Sequence, residues 1–434
     1  MLRRGFLALG GASLSLASSR APNVLDGCGC AFAPPAVVNH AFDNLQSGIK
    51  ITNVKVFGVS LTPQSDRPYV FVKIETNQGV VGWGEGTLEG KAGAVMACVN
   101  DFRDFLINAD PMQVEHHWQS MYVHSFYRAG PVMGSAISGI DQALWDIRGK
   151  VLGVPVYKLL GGSSGAIRGY YHADKGTPEA MAKLRQWTIE QGVTCLKATL
   201  PEYYEWIETH AKIERAVKSM QALREGFGPD IDIAVDFHAR TSPSVAQIII
   251  KEIEPLNLLF VEEPCPPENV GAMAKIARHS TTPIATGERL VTAYGCRELV
   301  EMGAVDILQP DINHVGGITG LWKAASLAGI SGISMAPHAC EGPIGAIATL
   351  HVDAALPNFL IQETCRPPMI STQDKIWEDW FGHPVMRTVN GRFRLPDKPG
   401  LGFELDEASL AKYPFSGTVP MERVYHEDGS VAEW

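Results

Sequence analysis

Short apolar runs alternate with longer amphipathic segments through the middle and later parts of the chain. Each run is rich in Ile, Val, Leu or Ala, and each but the last is followed by a segment long enough for a crossover helix. Regular alternation of strands and helices predicts a parallel sheet, and eight strands predict a closed barrel. The eight predicted strands lie within residues 167–174, 193–200, 231–238, 258–264, 282–288, 305–311, 332–338 and 358–364.

The part of the chain before these runs has a different pattern. Residues 50–86 contain strand-like runs, and the break at Asn77-Gln78-Gly79 predicts a hairpin turn. Within residues 90–160, apolar residues recur at helical spacing, as in SAISGIDQALWDIRGKVLG. Strands followed by helices predict a self-contained α+β domain. We therefore predict an α+β domain at 49–166, a barrel at 167–366, and a C-terminal segment at 367–434 that packs back on the first domain.

The N-terminus has the layout of a signal peptide. The stretch MLRRGFLALGGASLSLASS combines a basic start, an apolar run too short to span a bilayer permanently, and small residues. Because Arg3-Arg4 resembles the twin-arginine signal, we expect residues 1–22 to direct export to the periplasm and residues 23–48 to form a linker. Two alternatives stay open: an unstructured extension on a cytoplasmic protein, and a lipid attached at Cys28.

Composition narrows the class of protein. The 434 residues carry a net charge of −10 with acidic and basic residues well mixed, which argues against a nucleic-acid-binding protein. An anionic small substrate is still compatible with this charge, because local charge governs a site. No zinc-type pair of CxxC motifs is present among the 8 cysteines. We expect four cysteines to be small buried apolar residues rather than disulfides or nucleophiles: Cys195, Cys265, Cys340 and Cys365.

A series of polar residues ends the predicted strands. Active sites of α/β barrels lie at the carboxyl ends of the strands, so these side chains are expected to share one site. A single charged strand end is usually only solvated, but seven in succession are difficult to explain in that way. From the second strand onwards they are Lys197, Asp236, Glu262, Glu288, Asp311, His338 and Glu363.

Three of these residues predict a metal site. Asp236, Glu262 and Glu288 would converge without a matching cluster of cations, and like charges so close raise one another's pKa. A divalent cation removes that conflict, and Mg²⁺ prefers oxygen ligands. The alternative is that each carboxylate pairs with an arginine such as Arg240 or Arg289. The neighbouring Glu263 would point away by strand alternation, and we expect it to have a packing or salt-bridge role.

Two histidines suggest acid–base chemistry. Adjacent strand ends would place Asp311 beside one imidazole nitrogen of His338, which fixes the tautomer and raises basicity. His238 lies two residues beyond Asp236 and would face the same cavity from the other side. Histidines on both sides of a metal suit a reaction that removes a proton on one side and delivers one on the other.

At these residues the sequence resembles the enolase superfamily, mandelate racemase subgroup, and within it most closely the D-galactonate dehydratases. The motifs that carry the resemblance are FVKIETNQGVVGWGE, DFHART, FVEEP, ATGER, ILQPDINHVGGIT, APHACEGPI, IQET and HEDGSVAEW. The resemblance implies a (β/α)7β modified TIM barrel under an α+β capping domain, and an even homo-oligomer such as an octamer. It implies Mg²⁺ on Asp236, Glu262 and Glu288, His338 as base with Asp311 behind it, His238 as acid, and Glu363 as transition-state stabiliser.

The expected activity is dehydration of an acid sugar of the aldonate class. His338 would take the C2 proton, His238 would protonate the leaving 3-hydroxyl, and Lys197 would neutralise the substrate carboxylate or form a structural salt bridge. The alternatives are a racemase or epimerase acting through the same enediolate, and an exported sugar-acid-binding protein without catalysis. The sequence departs from the dehydratase pattern where we expect substrate to be selected: in the long segment 60–69, and at Thr199, Ala239, Thr241, Cys340 and Glu341.

Overall fold

The computed structural model describes residues 48–163, 165–173, 178–364, 372–417, 419–421 and 423–433. The predicted signal peptide, nearly all of the predicted linker, Cys28 and Cys365 lie outside the described residues. Among the helices of these described ranges, none combines the length and apolar character needed to span a bilayer.

The first domain is a three-stranded antiparallel sheet covered by helices. β2 is the central strand and pairs with β1 and β3, and the Asn77-Gln78-Gly79 turn joins β2 to β3 as predicted. The long helix α3 begins at Pro131, ends at the left-handed Gly153, and packs against β3. The elements are β1 (Ile51–Val59), β2 (Tyr69–Thr76), β3 (Val81–Glu85), α1 (Ala92–Leu106), α2 (Val114–Val123), α3 (Pro131–Leu152) and α4 (Val156–Leu159).

The second domain has seven strand–helix units and an eighth strand, which confirms the predicted (β/α)7β fold. Each of the eight predicted runs coincides with one observed strand, although the first strand begins one residue before its run and several strands are only two or three residues long. The strands are β4 (Ala166–His172), β5 (Cys195–Thr199), β6 (Asp232–Asp236), β7 (Phe260–Glu262), β8 (Ile284–Thr286), β9 (Ile307–Leu308), β10 (Ser334–Met335) and β11 (Gln362–Thr364). The helices between them are α5 (Pro178–Glu190), α6 (His210–Phe227), α7 (Pro243–Ile253), α8 (Val270–His279), α9 (Thr292–Glu301), α10 (Gly317–Ile330) and α11 (Pro343–Asp353).

The eight strands follow one another around a barrel-like ring. β4 to β10 pair in parallel in chain order, and β11 pairs in parallel with β4. Met335 of β10 completes the succession by exchanging backbone hydrogen bonds with Asn358 and Leu360, just before β11. One apolar layer inside the ring takes a residue from each strand or its edge: Tyr170, Cys195, Ala234, Phe260, Ala285, Ile307, Ala336 and Ile361.

The C-terminal residues contact both domains. They contain α12 (Thr372–Phe381), β12 (Thr388–Val389), β13 (Arg392–Arg394) and α13 (Glu407–Leu410). β13 pairs antiparallel with the first half of β4. Trp380 packs edge-on against Tyr69 of β2, and the Tyr413 carbonyl accepts a hydrogen bond from the Ser60 amide.

Candidate active site

A polar layer lies directly beyond the apolar layer of the barrel interior. Residues two apart on a strand share a face, so the residue two positions after each interior apolar residue projects towards the same end of the barrel. In β8 that position is Gly287; its φ is +154°, and a Cβ there would lie 2.7 Å from the Gln309 backbone. The other members of the layer are His172, Lys197, Asp236, Glu262, Gln309, His338 and Glu363.

Lys197 lies at the centre of this layer and is fully buried. Its Nζ is 2.5 Å from Glu363 Oε1, 2.9 Å from Glu262 Oε1 and 3.2 Å from Asp236 Oδ2. Burial alone disfavours the ammonium, but the three carboxylates outweigh it and raise the pKa of Lys197 well above its usual range. In the structure, therefore, Lys197 is a cation shared by three carboxylates. This arrangement matches the structural salt bridge that was the second of its two predicted roles.

One lysine does not balance this set of carboxylates. Asp236 Oδ2 is buried without an assigned hydrogen bond, although it lies 3.2 Å from Lys197 Nζ and 3.1 Å from His238 Nε2. Burial, with the neighbouring Asp236 and Glu363 carboxylates, raises the pKa of Glu262 to about 8. An unsatisfied carboxylate oxygen and an excess of negative charge fit a hard divalent cation. Asp236 and Glu262 are therefore suitable ligands for Mg²⁺.

Glu288, the third predicted ligand, lies on the His338 side of the site. Its Oε2 is 3.4 Å from His338 Nε2, and its Oε1 is 4.0 Å from Arg289 Nε. Arg289 instead pairs at 3.1 Å with the buried Glu263, which has the salt-bridge role expected of it. The described residues contain two groups of ligand atoms within 4.8 Å of one another, and neither is the predicted set: His172, Cys340 and Glu363, and Asp311, His314 and Glu341.

The predicted pair of Asp311 and His338 is present. Asp311 Oδ2 is 2.6 Å from His338 Nδ1, so Nε2 is the nitrogen that faces the cavity. Asp311 Oδ1 accepts a hydrogen bond from the Asn313 amide at 2.6 Å, which fixes the carboxylate. Burial disfavours the imidazolium, but Glu288, Glu363 and Asp311 together raise the pKa of His338 well above its usual range.

His238 follows β6 in a strained turn. His238 and Ala239 have φ of 50° and 54°, in the left-handed region that non-glycine residues rarely adopt. The His238 amide donates to Asp236 Oδ1 at 2.7 Å, and Arg240 Nη2 lies 3.1 Å from His238 Nδ1. A guanidinium only donates, so Nδ1 accepts and the proton of the neutral ring is on Nε2. That nitrogen lies 3.1 Å from Asp236 Oδ2.

Glu363 links Lys197 to His338. Its Oε1 lies 2.5 Å from Lys197 Nζ and 2.8 Å from His172 Nε2. Its Oε2 accepts a hydrogen bond from the Ala339 amide at 3.2 Å and lies 3.9 Å from His338 Nε2. Burial opposes the charged form, but Lys197, His338 and His172 hold the pKa of Glu363 well below its usual range. His172 is a site residue that the sequence analysis missed, because the series of strand ends was counted from the second strand.

A cavity of about 510 Å³ lies between the two domains beside these side chains. His238, Glu288 and His338 line it from the barrel, and Leu88 and Glu89 line it from the first domain. Three further polar residues belong to its wall: Arg67, His314 and Glu341. Glu341 and the segment that contains Arg67 were predicted only to select substrate, and His314 was not predicted to act in the site.

Two expectations from the sequence are wrong. Cys340 is disulfide-bonded rather than a buried thiol, whereas the other four cysteines of the described residues are free, as Cys195 and Cys265 were expected to be. Ala239 and Thr241 do not line the cavity beside His338. They line a separate cavity of about 160 Å³ against the C-terminal residues, because the left-handed turn at His238 directs the chain away from the site.

Comparison with known families and structures gives a uniform result. Residues 48–161 match the N-terminal domain of mandelate racemase and muconate lactonizing enzyme, and residues 179–409 match the enolase C-terminal domain-like family. An enolase from Pantoea ananatis with bound D-gluconate and Mg is 32% identical, with a TM-score of 0.78, over 89% of this chain and 100% of the other. A candidate dehydratase from Zymomonas mobilis ZM4 is 29% identical, with a TM-score of 0.77, over 84% and 98%. A mandelate racemase/muconate lactonizing enzyme-like protein from Rubrobacter xylanophilus DSM 9941 is 30% identical, with a TM-score of 0.77, over 86% and 99%.

Proposed function

The chain belongs to the mandelate racemase and muconate lactonizing enzyme family of the enolase superfamily, and on that premise we propose that it is a magnesium-dependent acid-sugar dehydratase. The observation that carries the proposal is the pair of histidines on one cavity, His338 with its carboxylate partner Asp311 and His238 beside the orphaned oxygen of Asp236. A dehydratase needs both a base and an acid, and this cavity offers both.

Asp236, Glu262 and Glu288 are the residues that would hold Mg²⁺. When bound, the ion supplies positive charge for the substrate carboxylate and for the negative charge that develops when C2 loses its proton. The contact between Glu288 and His338 supports the assignment, since it puts the third ligand beside the proposed base.

His338 is the proposed base. Asp311 occupies Nδ1, so Nε2 takes the C2 proton while the electrons of the C–H bond form the enediolate. Glu363, whose carboxylate is held by Lys197, His172 and the Ala339 amide, lies beside the same nitrogen and is proposed to stabilise the transition state.

His238 is the proposed acid. Its Nε2 proton passes to the 3-hydroxyl as the C3–O bond breaks, which releases water and leaves an enol that ketonises to a 2-keto-3-deoxy acid. Arg240 Nη2 lies 3.1 Å from Nδ1 and orients the ring, so that Nε2 is the nitrogen that delivers the proton.

The state of Lys197 argues against the racemase alternative. A racemase needs a second base on the other side of C2, and Lys197 is a basic residue of the polar layer that could supply it. Its Nζ lies within 3.2 Å of Asp236, Glu262 and Glu363, and Lys197 does not line the cavity that His338 and His238 face, so it is unsuited to take the C2 proton. The acid function of His238 has no counterpart in racemisation.

A substrate screen tests the proposal. The purified protein is incubated with Mg²⁺ and a panel of aldonates and aldarates, and both 2-keto-3-deoxy acids and C2 deuterium exchange in D₂O are measured. Dehydration of an aldonate, such as D-galactonate or the D-gluconate bound by the Pantoea protein, supports the proposal. Exchange or inversion at C2 without loss of water would establish a racemase or epimerase, and binding without either would establish a binding protein. His338→Asn is the matched control, expected to lose both exchange and dehydration.

Two further parts of the proposal concern the protein's setting. Export through the twin-arginine-like signal is supported by the disulfide at Cys340, since disulfides persist in oxidising compartments. Fractionation of cells and the mass of the mature chain test this proposal.

Assembly into an even homo-oligomer is supported by the large exposed side chains of Phe126 and Tyr127, which are 88% and 89% exposed. Light scattering on the purified protein tests it.

A further inference from the structure

One part of the cavity wall is polar but takes no part in the proposed chemistry. Arg67 comes from the connection between β1 and β2, His314 follows β9, and Glu341 follows β10, and all three line the cavity together with His238 and His338. No step of proton transfer or metal binding described above uses them.

The hydrogen bonds of this group are incomplete. Glu341 is only 8% exposed; its Oε2 lies 3.7 Å from Arg67 Nε, and both atoms are buried without a hydrogen bond. Its other oxygen, Oε1, lies 3.9 Å from His314 Nε2, again beyond hydrogen-bond distance. A buried carboxylate oxygen beside an unsatisfied guanidinium nitrogen is costly unless another group completes the hydrogen bonds.

The three side chains are nevertheless held in position. Arg67 donates to the Cys340 carbonyl oxygen at 3.1 Å and forms an ion pair with Glu89. His314 Nδ1 lies 2.9 Å from the hydroxyl of Ser135, on α3. The donors and the acceptor are therefore arranged before any ligand arrives, which lowers the entropic cost of binding one.

We propose that Arg67, His314 and Glu341 form a subsite for a hydroxyl group beyond C3 of the substrate. The inference rests on the proposed function, in which the carboxylate lies at the metal ligands, C2 at His338 and the 3-hydroxyl at His238. The carbons beyond C3 are then the part of the substrate that reaches the wall formed by Arg67, His314 and Glu341.

The donor and acceptor pattern selects a hydroxyl over other groups. A hydroxyl accepts a hydrogen bond from Arg67 or His314 and donates one to Glu341. A methyl or methylene can do neither, and an ammonium cannot accept. A second carboxylate would meet Glu341 and Glu89 against the single guanidinium of Arg67. The subsite therefore favours aldonates over aldarates and over deoxy acids.

Paired substrates test the subsite. The best aldonate from the screen is compared with analogues that lack one hydroxyl beyond C3 at a time, in wild type, Glu341→Leu and the control Asp66→Asn. Asp66 neighbours Arg67 and lines only the adjacent cavity, whereas Arg67 and Glu341 line both. For one analogue, wild type is expected to lose about 10²-fold or more in kcat/KM, because the buried groups stay unpaired. Glu341→Leu is expected to lower kcat/KM for the parent towards that of the analogue, and Asp66→Asn to leave the ratio unchanged.

The outcomes separate this inference from the proposed function. Equal kcat/KM of wild type for the parent and every analogue would overturn the subsite while leaving the dehydratase intact, and this measurement does not depend on any variant folding. A wild-type preference that Glu341→Leu leaves unchanged would also overturn it. Failure of wild type to dehydrate any acid sugar would overturn both.

Discussion

Glu85, the last residue of β3, accepts a hydrogen bond at 2.9 Å from the backbone amide of Gly345 at the start of α11. The same oxygen accepts from the Ile344 amide at 3.0 Å, so a side chain of the first domain caps a barrel helix. α11 follows the loop that carries His338 and Glu341. The first domain is therefore fixed against the part of the barrel that carries the proposed base.

Replacement of Glu85 by alanine should destabilise the protein by about 2–4 kcal/mol, because two amides of α11 and the Thr87 hydroxyl lose their buried acceptor. Burial raises the pKa of Glu85 to about 8, so the carboxyl is neutral at pH 7 and Glu85→Gln should cost clearly less. Urea unfolding of both variants measures the difference. Equal costs for alanine and glutamine would contradict the capping role.

Replacement of Lys197 by methionine should destabilise the metal-free protein by about 3–5 kcal/mol, because Asp236, Glu262 and Glu363 lose their shared cation. Mg²⁺ should restore part of this loss, so its stabilising effect on Tm should be larger in the variant than in wild type. Thermal unfolding with EDTA or with Mg²⁺ tests this. An unchanged effect of Mg²⁺ would show that the ion does not bind among these carboxylates.

The polar layer shows how far sequence reasoning reaches. The polar ends of the strands predicted Lys197, Asp236, Glu262, His338 and Glu363, and the structure places all five two residues beyond the interior apolar layer. His172 and Gln309 occupy the equivalent positions, two residues after Tyr170 and Ile307. They could also have been predicted, if the series had started at the first strand and had included uncharged polar side chains. Gln309 donates to Glu262 Oε2 at 3.1 Å.

The remaining residues depend on loops, which follow no periodicity. Glu288 and Asp311 lie beyond their strand ends, so their directions are set by the turn at Gly287 and by the Asn313 amide. Arg67 and His314 reach the cavity only because the two domains pack together. The direction of Ala239 and Thr241 depends on the left-handed turn at His238, which no local pattern predicted.

Replacement of Ala239 by glycine should stabilise the fold by about 0.5–1 kcal/mol. Ala239 has a φ of 54°, which costs an L-residue about 1–2 kcal/mol and glycine little, and part of the gain is lost to the entropy of the unfolded chain. Ala246→Gly, within helix α7, is the matched control and should destabilise by about 1 kcal/mol. Urea unfolding compares the two; destabilisation by both would contradict the strain at Ala239.

His351 should make stability fall as the pH drops below neutrality. It is buried with both ring nitrogens hydrogen-bonded to backbone, and burial lowers its pKa to about 4, so the unfolded chain binds a proton that the folded state does not. Its contribution is present above pH 6.5 and is lost between pH 6.5 and 4, about 2 kcal/mol of it by pH 5. Unfolding at pH 7 and pH 5 should show a smaller difference in His351→Gln than in wild type. An equal difference would show that other groups cause the loss.

The division of roles between Asp236 and His238 is the central claim. Both come from the end of β6 and face one site, but Asp236 is proposed to hold the metal and His238 to release water. Asp236→Asn should therefore lose affinity for Mg²⁺, measured by calorimetry, while His238→Asn should bind Mg²⁺ as wild type does.

The most direct test is NMR of the acid-sugar substrate in D₂O with Mg²⁺ and His238→Asn. The C2 proton should exchange with solvent at close to the wild-type rate, because His338 and Asp311 are intact, while dehydration should fall by about 10²–10⁴-fold. Loss of C2 exchange together with dehydration, or loss of Mg²⁺ binding in the same variant, would contradict the assignment of base and acid.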